Sequence, residues 1–207
     1  MGELSVILST QAYNNMDVSM KYIYIFTTRT KTRIANFIGL MTGDRFSHVA
    51  ISLDRELTQM YSFGRRRVTN PLYGGFIKEN IHQGIFALFG ECNSVLYRIP
   101  VTEDTYNIIE NTLHTMHSRR FSYRYNIVGL FSCAFGVPTN TRTHFTCSQF
   151  VSWILEYSGA VKLPKNMGLM KPDDLAKLPN AELVYEGRIA DADNTKAHPI
   201  RRGARAL

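Results

Sequence analysis

The chain is poor in cysteine: Cys92, Cys133 and Cys147 are the only three in 207 residues. So few, and an odd number, exclude a disulfide scaffold and fit a reducing compartment. No apolar run approaches the ~20 residues that cross a bilayer. The longest, Ile127 to Val137, is broken by Gly129, Ser132 and Gly136. No basic stretch followed by a long apolar run opens the N-terminus, so no signal peptide is read and a cytoplasmic location is expected. Walker loops, GxGxxG turns and metal-binding His-Glu motifs are absent too, which removes the common nucleotide and zinc-protease readings. His144, Cys133 and Cys147 make no standard zinc spacing, so neither metal nor cofactor is expected. There is no internal repeat and no low-complexity linker.

What remains is a globular composition. Apolar residues make up 44% and charged residues 20%, which excludes disorder, collagen and coiled coil. Aromatics at 12% favour sheet over helical bundle. The net charge is +7. The basic residues cluster at Arg65-Arg66-Arg67, Arg119-Arg120 and Arg201-Arg202 with Arg205. The sequence does not join them into one stripe, and nucleic acid is not expected as a partner. The expected organisation is a poorly patterned segment over 1–19, one domain over 20–190 and a basic tail over 191–207.

Strands come first. Lys21 to Thr28 is apolar on both faces and reads as a central strand. A short helix is expected over Lys31 to Leu40. Phe46 to Leu53 alternates, with Val49, Ile51 and Leu53 on one face and His48, Ala50 and Ser52 on the other. Gln59 to Gly64 is its hairpin partner. Asn70 to Gly75 reads as a loop by its Pro and Gly content. Ile85 to Phe89 and Val95 to Val101 read as two more strands. Helical spacing then takes over. Thr102 caps a helix carrying Tyr106, Ile109, Leu113 and Met116. Asn126 to Phe135 reads as a buried helix, and Phe145 to Gly159 as the best helix in the chain. The fold class expected is α+β, an antiparallel sheet packed against helices.

Chemistry points first to Cys147. In Thr146-Cys147-Ser148-Gln149, Thr followed by Gln three residues on, before an apolar run, is a capping box. It puts Cys147 in the first turn, where unpaired amides and the helix dipole favour a thiolate and can serve an oxyanion. His48 shares its strand face with small residues, leaving room for a helix end or a substrate. A Cys nucleophile needs such a base within about 2.6–3.2 Å.

The order His48 in FSHVAISL, then Cys147 in FTCSQFVSWIL, resembles the circularly permuted papain-like hydrolases, the YiiX/YaeF type of the NlpC-like superfamily. Ordinary papain-like enzymes run Cys then His. Supporting pieces are the strand and helix before His48, the strand at Tyr61 to Gly64, Tyr125-Asn126 ahead of a helix, and Lys171-Pro172-Asp173-Asp174-Leu175. The likeness spans about residues 20–178. It implies a permuted papain-like fold and a thiol hydrolase of amides or esters, with Cys147 as nucleophile and His48 as base. Acyl transfer on the same pair, or a non-catalytic binding module, are the alternatives. The substrate would be a small-molecule, peptide or lipid acyl compound.

The resemblance also implies a polar residue on the strand after His48 to orient the imidazole. Here that strand reads Gln59-Met60-Tyr61-Ser62-Phe63, without a carboxylate. Ser62, Tyr61 or Gln59 is therefore expected to accept from the imidazole, more weakly than a carboxylate would, with Ser62 and Tyr61 taken as the site residues. Glu56 and Glu79 fall outside the matched segments and are not assigned. Arg65, Tyr125 and Ser148 are expected to contact substrate.

Overall fold

The structure, a computed structural model, describes residues 20–29, 45–67 and 70–193. The expected helix at Lys31 to Leu40, the segment 1–19 and residues 194–207 of the tail lie outside them. In chain order the elements are β1 (Met20–Thr28), β2 (His48–Ser52), β3 (Met60–Arg67), β4 (Asn70–Glu79), α1 (Gly84–Leu88), β5 (Asn93–Thr102), α2 (Glu103–Ser118), β6 (Arg124–Tyr125), α3 (Ile127–Ala134), β7 (His144–Phe145), α4 (Cys147–Tyr157), α5 (Pro172–Leu175) and β8 (Glu182–Arg188). Six strands form one sheet in the order β4-β3-β2-β1-β5-β8. Every pairing in it is antiparallel. β6 and β7 make a separate parallel pair. The class is α+β, as expected.

Alternation along the strands gives the sheet two cores. Ile23, Ile25, Val49, Ile51, Phe63 and Phe76 form one with Ile109 and Leu113 of α2 and Phe150 and Ile154 of α4. Phe26, Ala50, Met60 and Leu96 form the other, smaller one, with Phe86 of α1 and Ile189. The capping signals are realised. Thr102 Oγ1 accepts the Thr105 N–H, with Glu103 and Asp104 in the first turn of α2. Gly159, at φ 75°, follows the end of α4 in the left-handed region that glycine tolerates.

Three expectations need correction. Asn70 to Gly75 is part of β4, not a loop. Gly74 and Gly75 are there because other chain comes too close for a side chain. A Cβ on Gly74 would lie 2.8 Å from the Tyr125 Cβ, and one on Gly75 would lie 2.4 Å from the Tyr123 carbonyl oxygen. Ile85 to Leu88 is helical within α1, with Phe86 its one buried side chain, and Phe89 is the C-cap. A short apolar run does not distinguish strand from helix by its pattern. The helix at Asn126 to Phe135 is present as α3, but it is largely exposed: of its residues only Gly129 is buried.

Candidate active site

The pairing of β2 with β3 is confined to Ile51–Tyr61 and Ser52–Met60. The ladder is therefore open at its His48 end. Gly64 flanks that opening. A Cβ there would lie 2.9 Å from Ile77 Cδ1, so the close approach of Ile77 is what favours glycine, while His48 Cε1 at 3.7 Å and Ser62 Oγ at 3.8 Å stand at ordinary contact distance. The pairing of β3 with β4 sets Ser62 opposite Ile77 and Met60 opposite Glu79. Alternation then puts Ser62 and Glu79 on one face. Glu79 Oε2 lies 3.2 Å from His48 Nε2 and accepts the Ser62 hydroxyl at 2.5 Å. The His48 and Glu79 side chains are only 18% and 12% exposed.

Cys147 arrives from the other side, in the first turn of α4. The Thr146 hydroxyl accepts the Gln149 N–H at 3.2 Å, and Gln149 Oε1 accepts the Thr146 N–H at 3.0 Å. This is the capping box read from the sequence. The Gln149 side chain does more. Its Oε1 also accepts from Asn126 Nδ2 at 3.1 Å, and Asn126 Oδ1 caps α3 by accepting the Gly129 N–H at 2.7 Å. One buried amide pair thus ties the starts of α3 and α4 together and fixes Tyr125, the residue before Asn126, relative to Cys147. Phe63 seats the same turn, with its ring 5.3 Å from Phe145 and 5.2 Å from Phe150.

The thiol of Cys147 interacts with both the His48 imidazole and the Tyr125 phenol. With Nε2 held by Glu79, Nδ1 is the imidazole nitrogen left for sulfur. Burial by itself pushes the His48 pKa down. The Glu79 charge and hydrogen bonds from the ring to Cys147 and Glu79 outweigh burial and raise it from 6.5 to about 10. At neutral pH the ring is an imidazolium. Tyr125 is held well above its ordinary value, first by burial and then by the sulfur beside it, so it stays a neutral O–H donor. The first intrahelical hydrogen bond runs from the Phe150 N–H to the Thr146 carbonyl, so the amides of Cys147 and Ser148 lack an intrahelical acceptor and suit an anion.

A cavity adjoins the thiol, lined by Ser47, Tyr125, Leu130, Cys133, Ser148 and Met170 among others. Ser47 Oγ is buried and makes no hydrogen bond among the described residues. Asp173 holds the chain leading into His48: its carboxylate accepts the N–H of Arg45 at 2.8 Å and of Phe46 at 3.1 Å.

Cys147, His48, Ser62 and Tyr125 are therefore brought together, and Ser148 lies at the same cavity with its hydroxyl 3.3 Å from Thr146 Oγ1. Tyr61 is not at the site. It is on the opposite face of β3, its ring stacked 5.9 Å from Phe76 in the larger core. Arg65 is not among the residues lining the cavity. Its neighbour Arg66 donates to the backbone carbonyls of Tyr123, at 2.8 Å, and Arg120, so that guanidinium serves the fold. Glu79 is the residue that sequence reasoning missed. Had β4 been read as a strand paired to β3, alternation would have put Glu79 on the Ser62 face. Ser47, next to His48, carried no such signal.

No family model, curated protein or solved structure matches the chain. Among the described residues no helix is long and apolar enough to cross a membrane.

Proposed function

We propose that the chain is a cysteine-dependent hydrolase of amides or esters, on a circularly permuted papain-like architecture, with Cys147, His48 and Glu79 as its triad. One observation carries this reading. A thiol at a helix N-terminus contacts an imidazole whose far nitrogen is held by a buried carboxylate. A strand after His48 without a carboxylate would favour a non-catalytic module, and Glu79 of β4 supplies that carboxylate from the next strand.

Cys147 Sγ, as thiolate beside the imidazolium, attacks the acyl carbon. The oxygen takes the electron pair, and the Cys147 and Ser148 amides with the Tyr125 hydroxyl stabilise it. His48 gives its proton to the leaving amine or alcohol as the carbon–heteroatom bond breaks, leaving a thioester and a neutral imidazole. That imidazole takes a proton from water, whose oxygen attacks the thioester. The acid leaves and the thiolate–imidazolium pair is restored. Glu79 keeps the imidazole oriented and favours its charged form, and Ser62 holds Glu79.

The test is alkylation by iodoacetamide followed by peptide mass spectrometry across pH. Cys147 is expected to react fast near pH ~6, with Cys92 and Cys133 as internal controls, and His48→Ala abolishes that fast reaction. If Cys147 follows an ordinary thiol titrating near about 8.5, with or without His48, the assignment fails.

A further inference from the structure

Polar groups around Cys147 are committed to one another. The Tyr125 phenol meets the sulfur. The Ser148 hydroxyl lies 3.3 Å from Thr146 Oγ1, which also accepts the Gln149 N–H. His48 is shared between Glu79 and the sulfur. Ser47 differs. It lines the same cavity and is only 6% exposed, and its Oγ has no hydrogen-bond partner among the described residues. A buried hydroxyl without a partner loses its hydration and regains nothing, so one kept beside a nucleophile calls for a partner that the reaction supplies.

The backbone of Ser47 is pinned. Its N–H donates to the Thr28 carbonyl at 3.1 Å. Just before it, the Asp173 carboxylate accepts the N–H groups of Arg45 and Phe46. Just after it, His48 pairs with Thr28 in the β1–β2 ladder. The hydroxyl is thereby carried on a fixed stretch of the cavity wall, one residue from the base.

Size and chemistry narrow what it meets. The cavity has a volume of about 20 Å³, which is room for about one water. Such a water needs about two to four polar partners. Ser47, Tyr125 and Ser148 bring three hydroxyls to this cavity. The water that attacks a thioester has a particular demand. One of its O–H groups must face His48, and one lone pair must face the acyl carbon. Its second O–H then needs an acceptor, and a serine hydroxyl is one.

We infer that Ser47 anchors the water that hydrolyses the thioester, which makes water, and not a larger alcohol or amine, the acyl acceptor of this site. The inference rests on the thiol hydrolase reading. In the step, Ser47 Oγ accepts one O–H of the water, and the other O–H gives its proton to neutral His48. The water oxygen bonds to the acyl carbon. The carbon–sulfur bond breaks, its electron pair returns to Cys147 Sγ, and the free acid departs.

The test uses the full chain and p-nitrophenyl acetate, whose leaving group needs no proton. Excess ester is removed, and acetyl on the Cys147 peptide is followed by mass spectrometry. Cys147 is expected to acetylate and to alkylate at similar rates in the wild type and Ser47→Ala. The thioester of Ser47→Ala should then outlive that of the wild type by about tenfold. Hydroxylamine, which attacks a thioester without a base, should discharge both at one rate. Butanol should leave the wild-type lifetime unchanged. Ser47→Ala should melt no lower than the wild type, because the hydroxyl has no protein partner to lose.

Equal thioester lifetimes overturn the inference. So does a Ser47→Ala protein that acetylates and alkylates more slowly in proportion, since Ser47 would then act on the Cys147–His48 pair and not on the water. Unequal discharge by hydroxylamine, or failure of the variant to fold, gives the hydroxyl a structural role and overturns it too. Butyl acetate as the product overturns water as the acceptor. Slow, ordinary alkylation of wild-type Cys147 is a different result: it overturns the hydrolase reading itself, and the role of Ser47 with it.

Discussion

At the residue scale the question is what each group around His48 does to its proton. Burial alone would expel it, and Glu79 reverses that balance. Glu79→Gln keeps the shape and a hydrogen-bonding group but removes the charge. His48 then titrates lower than in the wild type, because burial is opposed only by Cys147. Alkylation of Cys147 at pH ~6–7 is expected to slow by about 100-fold or more, as when an orienting carboxylate is lost from a triad. Ser62→Ala removes only the hydroxyl that steadies Glu79, and should slow the same reaction by less than Glu79→Gln does. Equal effects of the two would mean that Ser62, not the charge of Glu79, orients the ring.

At the element scale the site depends on how two helix starts are joined. Asn126 caps α3 and bonds Gln149, whose side chain completes the capping box of α4. Asn126→Ala removes the cap and leaves Gln149 short of a buried partner. A cost of about 1–3 kcal/mol is expected. For a chain of this size that lowers Tm by roughly 2–4 °C per kcal/mol. Asn126→Ser restores a cap but not the bridge. It should recover part of the Tm and none of the fast Cys147 alkylation, if the bridge holds Tyr125 against the thiol.

These elements also mark what was legible in the sequence. The capping box, the alternation in β2 and the helical stripe of α4 are local patterns, and they placed Cys147 and His48. Glu79 was not legible, because Pro and two glycines made the start of β4 look like a loop. The need for those glycines is tertiary: Tyr123 and Tyr125 press on them from another part of the chain. The burial of α3 was misjudged for a related reason. An apolar run shows that a segment avoids water in isolation, but not which face a neighbour covers.

At the scale of the whole molecule, the His48 proton links the site to stability. A group whose folded pKa is about 10, against about 6.5 unfolded, binds its proton more tightly in the folded chain. Its contribution is fully present below about pH 6.5, and declines as pH rises toward 10. Buried tyrosines act in the same direction only near and above their ordinary value of 10.0, because burial raises Tyr24, Tyr61, Tyr97 and Tyr106. The Cys147 thiol exchanges its own proton between about pH 7 and 9, and a Cys147→Ala background removes it, so that the window isolates His48. Thermal melts of Cys147→Ala should show Tm falling steadily across it. Adding Glu79→Gln reverses the sign, since burial then depresses the folded pKa of His48 below 6.5 unopposed. That double variant should gain stability as pH rises toward about 6.5 and then stay level through pH 9. Parallel curves for Cys147→Ala and the double variant between pH 7 and 9 would show that Glu79 does not hold the His48 proton. The base of the proposed triad would then lack its partner in solution.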